Sequence, residues 1–195
     1  MPPPSSVTLL FQHPSRKVAR RPLREFLHSA AARIGGGCHL TCLITGDDQL
    51  QQLNRQFRGK DDTTDVLSFP SADGSGERHR AGSAPARERN LPPSRRDRLR
   101  CAAQISGEIA ISLDAAARQA AEFGHPVEQE LRILILHGLL HLAGMDHETD
   151  SGEMARAEAK WRRRLGLGAG LIERSVSPRP NRDRKGAATA QPPRP

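Results

Sequence analysis

Three of the eight histidines fall within eleven residues, His137-Gly-Leu-Leu-His141-Leu-Ala-Gly-Met-Asp-His147. His137 and His141 are four apart, so on a helix both imidazoles project from one face about a turn from each other. Gly144 can take the left-handed backbone that ends a helix, which lets the chain swing back and carry His147 towards the first two. Three neutral imidazoles around one point make a Zn²⁺ site with a fourth position open, the catalytic rather than the structural arrangement. Zinc held that way lowers the pKa of its water to about 7 and so supplies hydroxide at neutral pH. One Zn²⁺ per chain, held by His137, His141 and His147, is therefore expected. Asp146 and Glu148 flank His147, and either is a candidate oxygen partner for a ring N–H, because a metal-bound histidine donates its second nitrogen to an oxygen. His13, His28, His39, His79 and His125 stand alone and read as ordinary polar residues.

The elements that must position this triplet follow from periodicity. Val7–Phe11 reads as a strand, and Leu23, Phe26, Leu27, Ala30, Ala31 and Ile34 keep helical spacing after Pro22. Residues 38–45 alternate as a second strand, and a helix over 48–57 follows, capped at Gly46-Asp47. Val66–Phe69 is a third strand stopped by Pro70, and Gly107–Ser112 a fourth. Asp114 is expected to cap a helix over 115–123, another runs from Gly124-His125-Pro126 to about 143, and a last one spans 151–165. The order predicts an α+β (α/β-like) fold, a four-stranded sheet with helices packed on it and the histidine site at a helix end.

A chain of 195 residues, 36% hydrophobic and 3% aromatic, suits one compact domain, here 1–175. No run of 18 apolar residues exists, so no membrane span is expected. The N-terminus lacks the basic and apolar regions of a secretory signal, and three cysteines make no disulfide framework, so a cytoplasmic location is expected. Cys38 and Cys42 share a strand face with Leu40 and read as small buried hydrophobes, whereas Cys101 falls in a polar stretch. The net charge of +8 is uneven. Residues 73–103 hold eight Arg against four acids, and 176–195 hold five cations against Asp183, leaving 17 basic and 17 acidic side chains elsewhere. Both segments are rich in Arg, Pro, Gly, Ser and Ala and are expected to be a disordered insertion and a disordered tail. A basic surplus points to nucleic acid, and here it resides in those two segments. The aromatics are Phe11, Phe26, Phe57, Phe69, Phe123 and Trp161, most on apolar stripes, so no base-stacking platform is read from them. Arg162–Arg164 read as a solvated helix end.

The histidine spacing also occurs in the metzincin peptidases, H-E-x-x-H-x-x-G-x-x-H, whose general base is the Glu after the first His. Here that position is Gly138, which leaves a metallopeptidase-like hydrolase as an alternative without its base. The whole block, H-G-L-L-H-L-A-G-M-D-H, resembles the signature of the YbeY family of bacterial metal-dependent endoribonucleases. Leu53-Asn54-Arg55-Gln56-Phe57-Arg58-Gly59-Lys60-Asp61 with Thr64-Asp65-Val66-Leu67-Ser68-Phe69-Pro70 is similar to a second family block. Gly107-Glu108-Ile109-Ala110-Ile111-Ser112 is similar to a third. Thr63 stands where the family has Pro, Glu108 where it has Asp, and Met145 where it has Tyr.

The resemblance implies a single-strand-specific endoribonuclease acting in rRNA processing, at the small-subunit rRNA 3′ end, and in ribosome quality control. It implies His137, His141 and His147 as metal ligands, and Arg58 with His137 as catalytic residues. Arg58 suits that role, since a guanidinium binds phosphate bidentately and offsets charge gained in the transition state. Asp65 and Ser68 read as structural support. The implied partners are single-stranded RNA or rRNA, the ribosomal small subunit and the Era GTPase, with no DNA and no membrane. A ribosome-assembly binding factor with a structural metal is the remaining alternative.

Overall fold

In a computed structural model of the chain, residues 6–15, 18–35, 38–71 and 105–168 are described. The strands β1 (Ser6–Phe11), β2 (Cys38–Thr45), β3 (Val66–Pro70) and β4 (Ile105–Ser112) form one sheet in the order β1-β2-β4-β3. The first three in that order run parallel, and β3 runs antiparallel to β4 at one edge of the described sheet. The helices are α1 (Arg20–Gly35), α2 (Asp47–Arg58), α3 (Leu113–Phe123), α4 (Val127–Leu142) and α5 (Glu153–Leu165). This is the α+β arrangement that the periodicity predicts. The expected insertion at 73–103 and tail at 176–195 lie outside the described residues.

Strand alternation assigns the two faces of the sheet. Leu40, Cys42 and Ile44 of β2 and Ile105, Ile109 and Ile111 of β4 pack against Leu23 and Leu27 of α1 and Leu131, Leu134, Ile135 and Leu139 of α4. Leu43, Leu67, Phe69 and Ala110 turn the other way and take Leu50 and Leu53 of α2. Cys42 is buried as expected, and burial pushes its thiol up to about 12. The Cys38 side chain and Cys101 lie outside what is described. No helix among the described residues is long and apolar enough to cross a membrane.

Two expected caps are corrected. Ser112, the last residue of β4, caps α3 by accepting from Ala115 N at 3.0 Å. Asp114 instead accepts from His13 Nε2 at 3.1 Å and from Asp47 N at 3.2 Å. Asp47 is the first residue of α2 rather than its cap, and it accepts from Ser112 Oγ and from Arg118 Nη1, the latter at 2.6 Å. These bonds tie together the carboxyl ends of β1, β2 and β4. His13, read as an ordinary polar residue, belongs to that tie. Boundaries move slightly: α1 starts two residues before Pro22, β4 two before Gly107, and α5 two after residue 151.

Candidate metal centre

Helix α4 is apolar nearly all round because it lies between the sheet and helices α1, α3 and α5. Its approach to the sheet is close at Gly138. A Cβ there would lie 3.0 Å from Ile109 and 3.1 Å from Ser68 Oγ, and Ser68 Oγ donates to Gly138 O at 3.3 Å. Position 138 faces packed strands, so a glutamate there, as in a metzincin peptidase, would crowd Ile109 and Ser68. The metallopeptidase alternative lacks its base, and the packing at Gly138 disfavours one.

The helix stops as its sequence predicts. Gly144 has φ of 83°, Met145 N donates to Leu140 O at 3.1 Å and Gly144 N to His141 O at 2.9 Å, while Met145 packs against the cluster of Leu136, Leu140 and Met154. That is a Schellman stop with its hydrophobic contact. Asp146 then braces the turn, accepting from Glu148 N at 3.0 Å and Thr149 Oγ1 at 3.1 Å. Those backbone and hydroxyl donors hold the Asp146 carboxyl below its ordinary range.

The turn brings His147 to the other two. The ring centroids lie 4.7, 5.3 and 5.3 Å apart, and one nitrogen from each ring falls within 4.8 Å of the others. His137 is 3% exposed, His141 is half-buried and His147 is exposed, so the cluster opens to solvent on one side. Burial, and then the neighbouring His137 and His147, push His141 down to about 4, with Asp146 partly opposing. At neutral pH its lone pair is available to a metal. His141 Nε2 lies 3.1 Å from His137 Nε2. Two nitrogens bound tetrahedrally at about 2.0–2.1 Å stand roughly 3.3 Å apart, so the donor set fits such an ion.

The second nitrogen of His137 reveals a residue missed in the sequence. His137 Nδ1–H donates to Glu158 Oε1 at 3.4 Å, and Glu158, on α5, is 1% exposed. This bond leaves the Nε2 lone pair facing His141. Neither Asp146 nor Glu148 makes that contact among the described residues. A signal existed: Glu158 falls on the stripe of Met154, Trp161 and Leu165, where a carboxylate must have a buried partner.

Arg58 ends α2, exposed, with no hydrogen-bond partner among the described residues. Its neighbour Phe57 meets Phe69 of β3, and Ser68 on the opposite side of β3 meets Gly138. Helices α2 and α4 thus lie on opposite sides of the same edge strand, and no contact joins Arg58 to the histidines among the described residues. Asp65 accepts from Gln119 Nε2 at 2.8 Å, and its carbonyl accepts from Ser112 N at 2.9 Å, which makes it a strut between β3, β4 and α3.

Comparison with known proteins agrees with this frame. The sequence profile of the family described as Endoribonuclease YbeY matches residues 11–166. A protein of Solibacter usitatus named Endoribonuclease YbeY is 41% identical over 91% of this chain and its own full length. One of the same name from Koribacter versatilis is 41% identical over 83% of this chain and 87% of its own. The solution structure of TM1509 from Thermotoga maritima covers 93% of this chain and all of its own, with a TM-score of 0.50 at 25% identity. With the family profile spanning both the sheet and the histidine turn, the chain belongs to the Endoribonuclease YbeY family.

Proposed function

We propose that this protein is a zinc-dependent endoribonuclease that cuts single-stranded RNA in the cytoplasm. The proposal places it in rRNA processing, at the small-subunit rRNA 3′ end, and in ribosome quality control. The small subunit and the Era GTPase are its partners by family resemblance. The catalytic domain is 1–175. The observation that carries the reading is the convergence of three imidazoles, graded from buried to exposed, on a frame shared with proteins named endoribonucleases.

His137, His141 and His147 would hold the ion, which when bound would supply Lewis acidity at the phosphodiester and activate water at neutral pH. Glu158 fixes the tautomer and ring orientation of His137. Arg58, projecting from the end of α2 without an acidic partner among the described residues, is available to a phosphate oxygen pair. The exposed side of His147 is where the RNA backbone enters.

Substituting His137 tests the reading. With His137→Ala, RNA cleavage and rRNA processing should cease while the protein stays folded and still associates with RNA. Processing that continues in a folded, metal-free variant would instead support a binding factor with a structural metal.

A further inference from the structure

We infer that Phe57 forms, with Phe69, a stacking site for an unpaired RNA base across edge strand β3 from the histidine cluster; this rests on the RNA-substrate reading above. Phe57 is the most exposed large apolar side chain of the described residues, at 60%. It meets Phe69 edge-on, with ring centroids 5.2 Å apart and planes at 61°, an arrangement that fixes one ring against the other and leaves a face of Phe57 open. The other aromatic rings are engaged face-on. Arg20 lies over Phe11, Arg132 over Phe26 and Arg164 over Trp161, while Phe123 stacks on His125.

The support beneath Phe57 is rigid. Arg55 and Gln51 both donate to the Asp61 carboxylate, and Asn54 Nδ2 donates to Asp62 O at 2.9 Å, so the loop after α2 is pinned to the helix. These bonds neutralise Arg55 and Asp61 against each other. Arg58 and Lys60 are exposed beside Phe57 and have no acidic partner among the described residues. An exposed aromatic ring with two exposed cations one and three residues along the chain, neither with an acidic partner among the described residues, matches a nucleotide, with its flat base and its phosphate.

Continuity with the metal centre runs through β3. Phe69 and Ser68 are consecutive and point to opposite sides of that strand, Phe69 to Phe57 and Ser68 to Gly138, next to His137. An RNA strand that crosses this edge would pass from the histidine side of β3 to the Phe57 side. Stacking there requires a base unstacked from its neighbour in the strand, which is easier without a Watson–Crick partner, so Phe57 also favours single strands over duplex.

The test uses the metal-loaded full chain and a short single-stranded RNA carrying 2-aminopurine. Wild type should quench the 2-aminopurine on binding, and Phe57→Ala should remove the quench and weaken affinity about 5- to 150-fold. Phe57→Trp should retain both, whereas Phe57→Leu, which keeps the apolar contact with Phe69 but has no ring, should behave like Phe57→Ala. Removing the stacked base from the RNA should cost wild type the same factor and cost Phe57→Ala nothing more. Equal binding by wild type and a folded Phe57→Leu would overturn the inference. Because these readouts are of binding, they stand apart from whether the protein cuts RNA at all.

Discussion

Arg58→Glu should abolish RNA cleavage while metal content and melting temperature stay at wild-type values, because the side chain is exposed and makes no hydrogen bond or ion pair among the described residues. Arg58→Lys should recover only part of the rate, since a point charge does not reproduce the bidentate fork. Glu158 calls for a different readout. Glu158→Leu should lower zinc affinity about 10- to 100-fold, measured by competition with a chromogenic chelator. Glu158→Gln keeps an acceptor for His137 Nδ1–H and should retain most of the affinity. A residue that only filled space would shift the melting temperature and leave the affinity alone. The three histidines were legible because two share a helix face and a glycine stop returns the third. Glu158 was not, since it is 21 residues from His137 on another helix and its burial depends on how α5 docks.

At the level of elements, every described strand and helix was located, most because one face meets a core and the pattern repeats accordingly, while α4, apolar nearly all round, was marked by Gly124-His125-Pro126 before it and Gly144 after it. Caps were harder to read. Asp114 and Asp47 look like helix starts, yet β4 runs into α3 without a loop, so Ser112 is already in place to cap and the two carboxylates are drawn into contacts across strand ends. That tie should be visible as a pH dependence. Hydrogen bonding and charge from Arg118, helped by Ser112, hold the Asp47 carboxyl below its ordinary range. A carboxyl lowered by folding adds stability above its unfolded pKa of about 3.9, and that stability is lost as pH falls through the folded value. Asp47→Asn should therefore be less stable than wild type at pH 7, with the gap closing below about pH 4, as measured by urea denaturation across that range. A gap that is constant with pH would mean that Asp47 acts by shape and not by charge.

Over the whole molecule, the formal charge surplus belongs to 73–103 and 176–195, while the remaining sequence balances 17 cations with 17 acids. The tail should therefore add RNA affinity without adding catalysis. Deleting 176–195 removes five cations, and if every one met a single strand, the log–log salt slope of RNA binding would fall by about 3.5. A smaller but clear fall is expected, with cleavage at low salt intact; an unchanged slope would assign the tail to something other than RNA. On the proposed reading, the three-histidine centre makes this family frame an RNA-cutting enzyme. Adding zinc back to metal-stripped protein while following RNA cleavage tests it most directly. The rate should rise from near zero in proportion to added zinc and level off at one equivalent per chain. Full-rate cutting by the stripped protein, or saturation with zinc and no cutting, would contradict the account.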